Sequence, residues 1–299
     1  MGSNSAQRPA IAAAVTVVLW AFAFPASRMA LGWFDVEQIA LLRYLVASGF
    51  YLVLFALGMF PLPRLRDVPV LGILGLLGVT TYQLLFVFGM GKVAGGAAAM
   101  IITANPVIAA LLARFFLNER LSALSWIGIF IGIGGIAVIS LIKGTDGEPA
   151  GYLALLVAVM AISIYFVFQK PFFKRYSPLA MISYTTILGT LPLLAFLPAT
   201  AVSLTEAPAL PIIWILVMGI FSSGVGFLLW FYSLSKMPVE VVTSFLFLQP
   251  VIVTAMSWAW LSEIPETKTL IGGAIVFAGL GLIILEQLKR TASSSSPTQ

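Results

Sequence analysis

The sequence predicts an all-α membrane protein: ten transmembrane helices in two inverted five-helix repeats, both termini cytoplasmic. Three observations lead there. Of the 299 residues, 61% are hydrophobic and only 9% charged. A water-soluble protein has about 45–50% apolar and about 25% charged residues, so most of this surface must face lipid. The apolar residues form ten runs of transmembrane length, close to the roughly 17–25 residues that a crossing helix needs. Finally, the second half of the chain repeats the first.

The elements follow in chain order. Residues 1–8 form a short cytoplasmic N-terminus with one charge, Arg8. The first run, 9–28, ends near Ala21-Phe22-Ala23, which resembles a cleavage site. It exceeds a secretory core of about 7–15 residues, so it reads as a retained helix. Runs at 37–60, 69–91, 97–118 and 123–142 complete the first repeat, 9–142. The polar segment 143–150, within KGTDGEPAG, is a periplasmic linker. Runs at 151–170, 178–198, 209–235, 239–262 and 268–286 make up the second repeat, 151–286. The polar tail, 287–299, is expected to be cytoplasmic and disordered. Every run is continuously apolar rather than alternating, which favours helices over a barrel.

Charge fixes the orientation. With the N-terminus on side A, that side holds Arg8, Arg64, Arg66, Arg120, Lys174, Arg175, Lys236, Lys289 and Arg290. Side B holds Arg28, Lys92, Lys143 and Lys268. The excess makes side A cytoplasmic. The net charge of +5 is therefore a membrane-topology signal, and no nucleic-acid partner is expected.

The repeat appears on sliding the chain by 144 positions, which lays NPVIAALLARFFLNE (105–119) on QPVIVTAMSWAWLSE (249–263). Pro106 meets Pro250, Glu119 meets Glu263, Gly128 meets Gly272 and Gly135 meets Gly279. Over 105–139 against 249–283, ten of 35 positions are identical. Five helices per copy is an odd number, so the copies enter the membrane in opposite directions. Inverted repeats of this kind build secondary transporters, whose binding sites lie near the midplane between the copies.

At these residues the chain resembles the drug/metabolite transporter superfamily, in its ten-helix EamA-type branch. The resemblance rests on the mid-span Pro106, the Asn118-Glu119-Arg120-Leu121 end of the fourth run, the Trp20–Pro25 stretch and Arg43. The second copy departs from it with Ser262-Glu263-Ile264-Pro265. Within the superfamily, the chain is most similar to YddG-type exporters of aromatic and other amino acids. The resemblance implies a cavity enclosed by helices 1, 3, 4, 6, 8 and 9.

Candidate site residues lie on those helices. Trp20 and Phe24 share a face of helix 1, as do Tyr82 and Phe86 on helix 3, and Tyr165, Phe168 and Gln169 on helix 6. Trp230 on helix 8 matches Phe86 in the repeat. Asn105 and Gln249 each precede a proline. Pro25, Pro106 and Pro250 each remove a helical N–H, freeing a carbonyl that is tolerated beside a wet cavity or a polar neighbour. They are the candidate hinges. A plain structural kink, and lipid-facing or interfacial packing of the rings, remain the competing readings; Trp258 and Trp260 fit an interfacial belt.

The charged residues divide. Arg43, about two turns into helix 2, either snorkels or caps outer loop groups, or it pairs with a substrate carboxylate. Arg28, Arg114 and Lys170 read as snorkelling anchors, and Glu119-Arg120 as a helix-end pair. All eleven acids fall at span ends or in loops, so coupling through a midplane carboxylate is not expected. Glycine series on helices 3, 5 and 10 suit close helix contact and favour a monomer over a homodimer.

The chain has no Cys and no His, which removes thiolate chemistry and Cys/His metal sites. No metal and no cofactor is expected, and a membrane-embedded enzyme lacks its nucleophile-and-base set. The expected partners are the lipid bilayer and a small-molecule substrate, with the cell inner membrane as the location. The expected function is export of small neutral or zwitterionic metabolites, above all aromatic and other hydrophobic amino acids. A facilitator or exchanger of sugar-like or drug-like solutes is the alternative.

Overall fold

The computed structural model describes residues 3–30, 32–92, 101–102, 104–119, 122–140, 148–261 and 267–294. Within these ranges the side chains of Phe24, Pro25, Arg28, Pro250, Trp258 and Trp260 lie outside the description, as do Arg120, Glu263 and most of the linker.

Among the described residues every regular element is helical. Five helices are long and apolar enough to cross a bilayer: Val36–Ala56, Leu65–Gly89, Pro149–Lys174, Pro178–Glu206 and Ala209–Lys236. Shorter apolar helices cover Gln7–Ala23, Asn105–Phe116, Ala123–Gly135, Val239–Val253 and Ile271–Glu286. In chain order these are α1 (Ser3–Ala30), α2 (Val36–Ala56) and α3 (Val68–Gly75, Leu76–Thr81 and Tyr82–Lys92). Next come α4 (Asn105–Phe116), α5 (Ala123–Ser140) and α6 (Pro149–Phe168). Then α7 (Pro178–Thr190, Leu191–Phe196 and Leu197–Glu206) and α8 (Ala209–Val217, Met218–Gly226 and Phe227–Lys236). The last are α9 (Val239–Ser244, Phe245–Phe247 and Leu248–Leu261) and α10 (Thr267–Ser294).

Local sequence sets the ends. Ahead of α2, the Asp35 N–H donates to Gln38 Oε1 at 3.0 Å, satisfying an orphan donor at the helix start. Ser177 Oγ accepts from the Ala180 N–H at 3.2 Å and Pro178 opens α7. At the end of α4, Asn118 takes a left-handed conformation with φ 55°. Asn tolerates that conformation, and it turns the Glu119 N–H back onto Ala113 O at 3.2 Å.

Several boundaries differ from expectation. Pro106 does not break a described helix in its middle: it sits in the first turn of α4, where no internal N–H bond is lost. Its side chain is buried in protein rather than lipid. The tail expected to be disordered is helical through Ser294, because α10 continues past its apolar stretch; residues 295–299 are outside the description. Helix α1 already begins at Ser3.

Two stretches take π geometry, which no composition signal indicates. Leu76–Thr81 in α3 and Met218–Gly226 in α8 are π-helical. Adding 144 to 76–81 gives 220–225, inside the second stretch. The two copies thus carry the same backbone irregularity at the same place.

Glycines decide which helices approach most closely. A Cβ on Gly128 would sit 2.7 Å from Gly279 O, and one on Gly279 would sit 2.6 Å from Gly128 O. One on Gly135 would sit 2.7 Å from Gly272 O. Helices α5 and α10 are therefore backbone to backbone and antiparallel within one chain. The 144-residue shift maps the Gly128–Gly279 contact onto Gly272–Gly135, the same contact seen from the other copy. Gly75 of α3 and Gly189 of α7 likewise exclude any side chain from each other's positions.

The polar ends sort into two groups. Pro9 O accepts from Ser233 Oγ at 2.7 Å, and the Arg64 N–H donates to Tyr176 Oη at 3.1 Å. Arg175 pairs with Asp67 at 3.3 Å, and Lys170 pairs with Glu119. At the other group, Lys92 pairs with Glu148 at 2.6 Å. Each of these pairs joins two positions expected on the same side of the membrane.

Candidate functional site

The π segment of α8 is the centre of the site. A π turn spaces its backbone bonds wider than an α turn and is common at functional positions. Here other helices satisfy the carbonyls. Trp20 Nε1 of α1 donates to Ser222 O at 3.0 Å, and Thr16 Oγ1 to Gly226 O at 3.0 Å. Tyr51 Oη of α2 donates to Gly224 O at 2.7 Å. The two serine hydroxyls face Arg43: its Nε donates to Ser223 Oγ at 2.5 Å and its Nη2 to Ser222 Oγ at 2.9 Å. Trp20 and Arg43, both of the first copy, thus converge on one serine of the second.

Arg43 therefore does not snorkel. A guanidinium has five N–H donors, and these two bonds use two of them. Its carbon lies 5.9 Å from the Tyr44 ring centroid, within cation–π range.

Aromatic rings extend from this point. Trp20 lies 4.8 Å from Phe227 and 4.9 Å from Trp230, and Trp230 lies 5.4 Å from Phe166. Tyr165 lies 5.6 Å from Phe231 and exchanges a hydrogen bond with Thr185 at 2.9 Å. Trp230 and Tyr165 are fully buried, and Trp230 Nε1 has no partner among the described residues. On α3, Tyr82 and Phe86 stack at 5.5 Å, and both are half-buried. Gly78, in the π segment of α3, leaves the space that the Tyr165 ring occupies.

Asn105 and α6 supply a second polar point. Asn105 is 2% exposed. Its Nδ2 donates to Ser163 Oγ at 3.1 Å, and its Oδ1 is unpaired. Gln169 is fully buried with both amide atoms unpaired. Gln249 is half-buried on α9.

Most predicted residues thus lie in protein between helices. Phe168 does not: it is 36% exposed and pairs with Phe116 at 4.9 Å on the outside of α4 and α6. Its place next to Gln169 in sequence turns it about 100° away from the buried face. Phe24, Pro25 and Pro250 lie outside the described side chains. A cavity of about 430 Å³ is bounded by Lys174, Arg175, Tyr176 and Lys236, and one of about 200 Å³ by Phe55, Phe60 and Tyr184. Neither is lined by a predicted site residue, because the rings around Trp230 pack against each other.

Sequence reading missed Ser222, Ser223, Phe166, Thr185 and Ser163. The adjacent serines in the apolar run 209–235 were the available signal. It also missed two buried acids. Asp67 is 6% exposed, held by Tyr176 Oη at 2.6 Å and by Arg175. Burial, and then its bond to Asp67, pushes the Tyr176 phenol above its ordinary pKa. Glu240, at the start of α9, is 3% exposed. Lys170, expected to snorkel, is instead an ion-pair partner of Glu119 and donates to Met237 O at 3.0 Å.

The EamA-like transporter family profile matches residues 7–141 and again 149–285. A protein of Streptantibioticus cattleyicolor named as a probable terminal-alkyne amino-acid exporter is 34% identical, over 95% of each chain. The uncharacterized transporter YdfC of Bacillus subtilis is 31% identical, over 90% of this chain and 89% of its own. An uncharacterized transporter of Archaeoglobus fulgidus is 30% identical, over 92% and 98%. A crystal structure at 18% identity matches with a TM-score of 0.77 over 94% of this chain and 98% of that one, which establishes the fold. The chain carries the family's domain twice and matches named transporters along nearly its whole length. It is a multi-pass membrane transporter of the EamA-like transporter family.

Proposed function

We propose that the protein exports small neutral or zwitterionic metabolites, chiefly aromatic and other hydrophobic amino acids, across the cell inner membrane by alternating access. In this reading ten helices cross the membrane and both termini are cytoplasmic. The observation that carries it is the convergence of Trp20 and Arg43 on Ser222, beside Phe227 and Trp230. A cation with spare N–H donors next to an aromatic platform suits a carboxylate attached to an apolar or aromatic side chain. Tyr82, Phe86, Asn105, Tyr165, Gln169 and Gln249 supply the remaining walls. The name of the Streptantibioticus relative supports both export and the amino-acid class. The glycine faces of α5 and α10 meet within one chain, which supports a monomer.

The test is counterflow in proteoliposomes. Vesicles preloaded with L-phenylalanine, L-tryptophan or L-leucine take up the labelled amino acid; L-lysine and glucose give no counterflow. Trp20→Ala and Tyr82→Ala each lower the rate several-fold, in line with about 0.5–1.5 kcal/mol for an aromatic contact. Counterflow of glucose or lysine but of no hydrophobic amino acid overturns the substrate assignment. Normal rates in both variants remove those rings from the site.

A further inference from the structure

We propose that Glu240 and Glu119 form a proton-binding site that latches one end of the bundle shut, and that loss of its proton opens that end. The proposal rests on the transporter reading and adds to it a ligand, the proton.

The latch is built from three segments. Glu119 follows α4, Lys170 follows α6, and Glu240 lies in the first turn of α9. Glu119 Oε1 accepts from Lys170 Nζ, and Glu119 Oε2 accepts from the Val239 N–H at 3.0 Å. The Glu119 carboxyl therefore caps α9, where a helix start favours negative charge. Glu240 is the next residue after Val239, so its buried side chain starts beside the Glu119 carboxyl. Its Oε2 is buried without a partner among the described residues, and the residue is 3% exposed.

A buried carboxyl next to a second carboxylate, with an oxygen that no described group serves, takes up a proton rather than ionise. Among the described residues one lysine serves the pair. With the proton present, Glu119 and Lys170 balance and Glu240 is neutral. With the proton gone, two carboxylates face one ammonium in a site that water does not enter. A buried, uncompensated charge is strongly unfavourable, so the helices separate and water reaches Glu240. On closing, an O–H bond forms on Glu240 with a proton from water; on opening it breaks, and water takes the proton. Glu119 belongs to the first copy, and Lys170 and Glu240 to the second, so the separation parts the two halves.

Among the described residues, the charged groups placed beside Glu240 by printed contacts are Glu119, through the Val239 N–H, and its partner Lys170. Among the described residues of adjoining helices, Arg114 of α4 and Lys236 of α8 are exposed, and Glu286 of α10 is half-buried. Gln169, beside Lys170, is fully buried with an unpaired amide.

The chain has no native cysteine, so spin labels at Arg114→Cys and Lys236→Cys report the separation across the latch. Double electron–electron resonance in liposomes, with no substrate, is recorded as pH rises. A second, longer distance grows by at most about tenfold per pH unit, the limit for one linked proton. Glu240→Gln, which keeps the shape of the protonated acid, holds the short distance at every pH. Glu119→Gln, measured alongside, also flattens the profile. A distance independent of pH, or a Glu240→Gln profile like that of the parent, overturns the proposal. L-phenylalanine counterflow in the same vesicles separates the two readings. Its absence with a pH-responsive distance removes the substrate and keeps the latch, and its presence with a fixed distance does the reverse.

Discussion

Trp20, Arg43 and Ser222 show how far single residues could be read in advance. Trp20 and Trp230 were legible because helical spacing gathers rings on one face. Their contact, at 4.9 Å between the two copies, was not, since it depends on how the helices cross. Arg43 was legible as an anomaly, a charge inside an apolar run. Its two serine partners were not, because they lie 179 and 180 residues away. Arg43→Lys tests this geometry. An ammonium does not reproduce a planar fork spanning two hydroxyls, and a hydrogen bond from a charged group is worth about 1.5–3 kcal/mol. The variant lowers the thermal unfolding midpoint in detergent, and Ser223→Ala lowers it less. An unchanged midpoint in both means that the pair does not tie α2 to α8. Glu240 marks the opposite failure. Its position at a span end suggested water, and only the docking of α4 and α6 against α9 removes that water.

At the scale of elements, the register of 144 was the most informative reading. It matched Gly128 to Gly272 and Gly135 to Gly279 as equivalent positions; that Gly128 faces Gly279 and Gly135 faces Gly272 emerges only from the structure. Its prediction is steric: Gly279→Ala puts a methyl 2.6 Å from a backbone oxygen of α5, where no flexible side chain can give way. The expected cost is about 1–3 kcal/mol of overpacking, read as a lower unfolding midpoint. Gly281→Ala, with open space around it, leaves the midpoint unchanged or raises it, since Ala favours a helix over Gly. Equal effects of the two substitutions would mean that α5 and α10 are not in close contact. The π segments were invisible to sequence reading because no residue preference marks them. They emerge only from the backbone, and the repeat then shows that they are shared. At α4, Pro106 was read as a kink within a longer helix; it lies in the first turn of the described helix, and residues 93–100 and 103 are outside the description.

At the scale of the molecule, the picture is two copies of the family domain held by three kinds of contact. Glycine faces join α5 to α10. The carbonyls of one π segment take hydroxyl and indole donors from the other half. A carboxyl pair with a lysine closes one end. Composition, the run lengths and the repeat made the membrane class and the two-copy organisation legible. The closed packing of the aromatic centre was not, because the pattern of a cavity wall and that of a packed core are the same along a helix. Alternating access through the proposed site puts Ser163, which binds Asn105 of its wall, on a path that opens to each face in turn. In this cysteine-free chain the direct measurement is labelling of Ser163→Cys, a near-isosteric change, by a membrane-impermeant thiol reagent added to one side of oriented vesicles at a time. The account predicts labelling from either side and slower labelling from both with saturating L-phenylalanine. A cysteine that reacts from neither side, or at a rate that the amino acid leaves untouched, contradicts it.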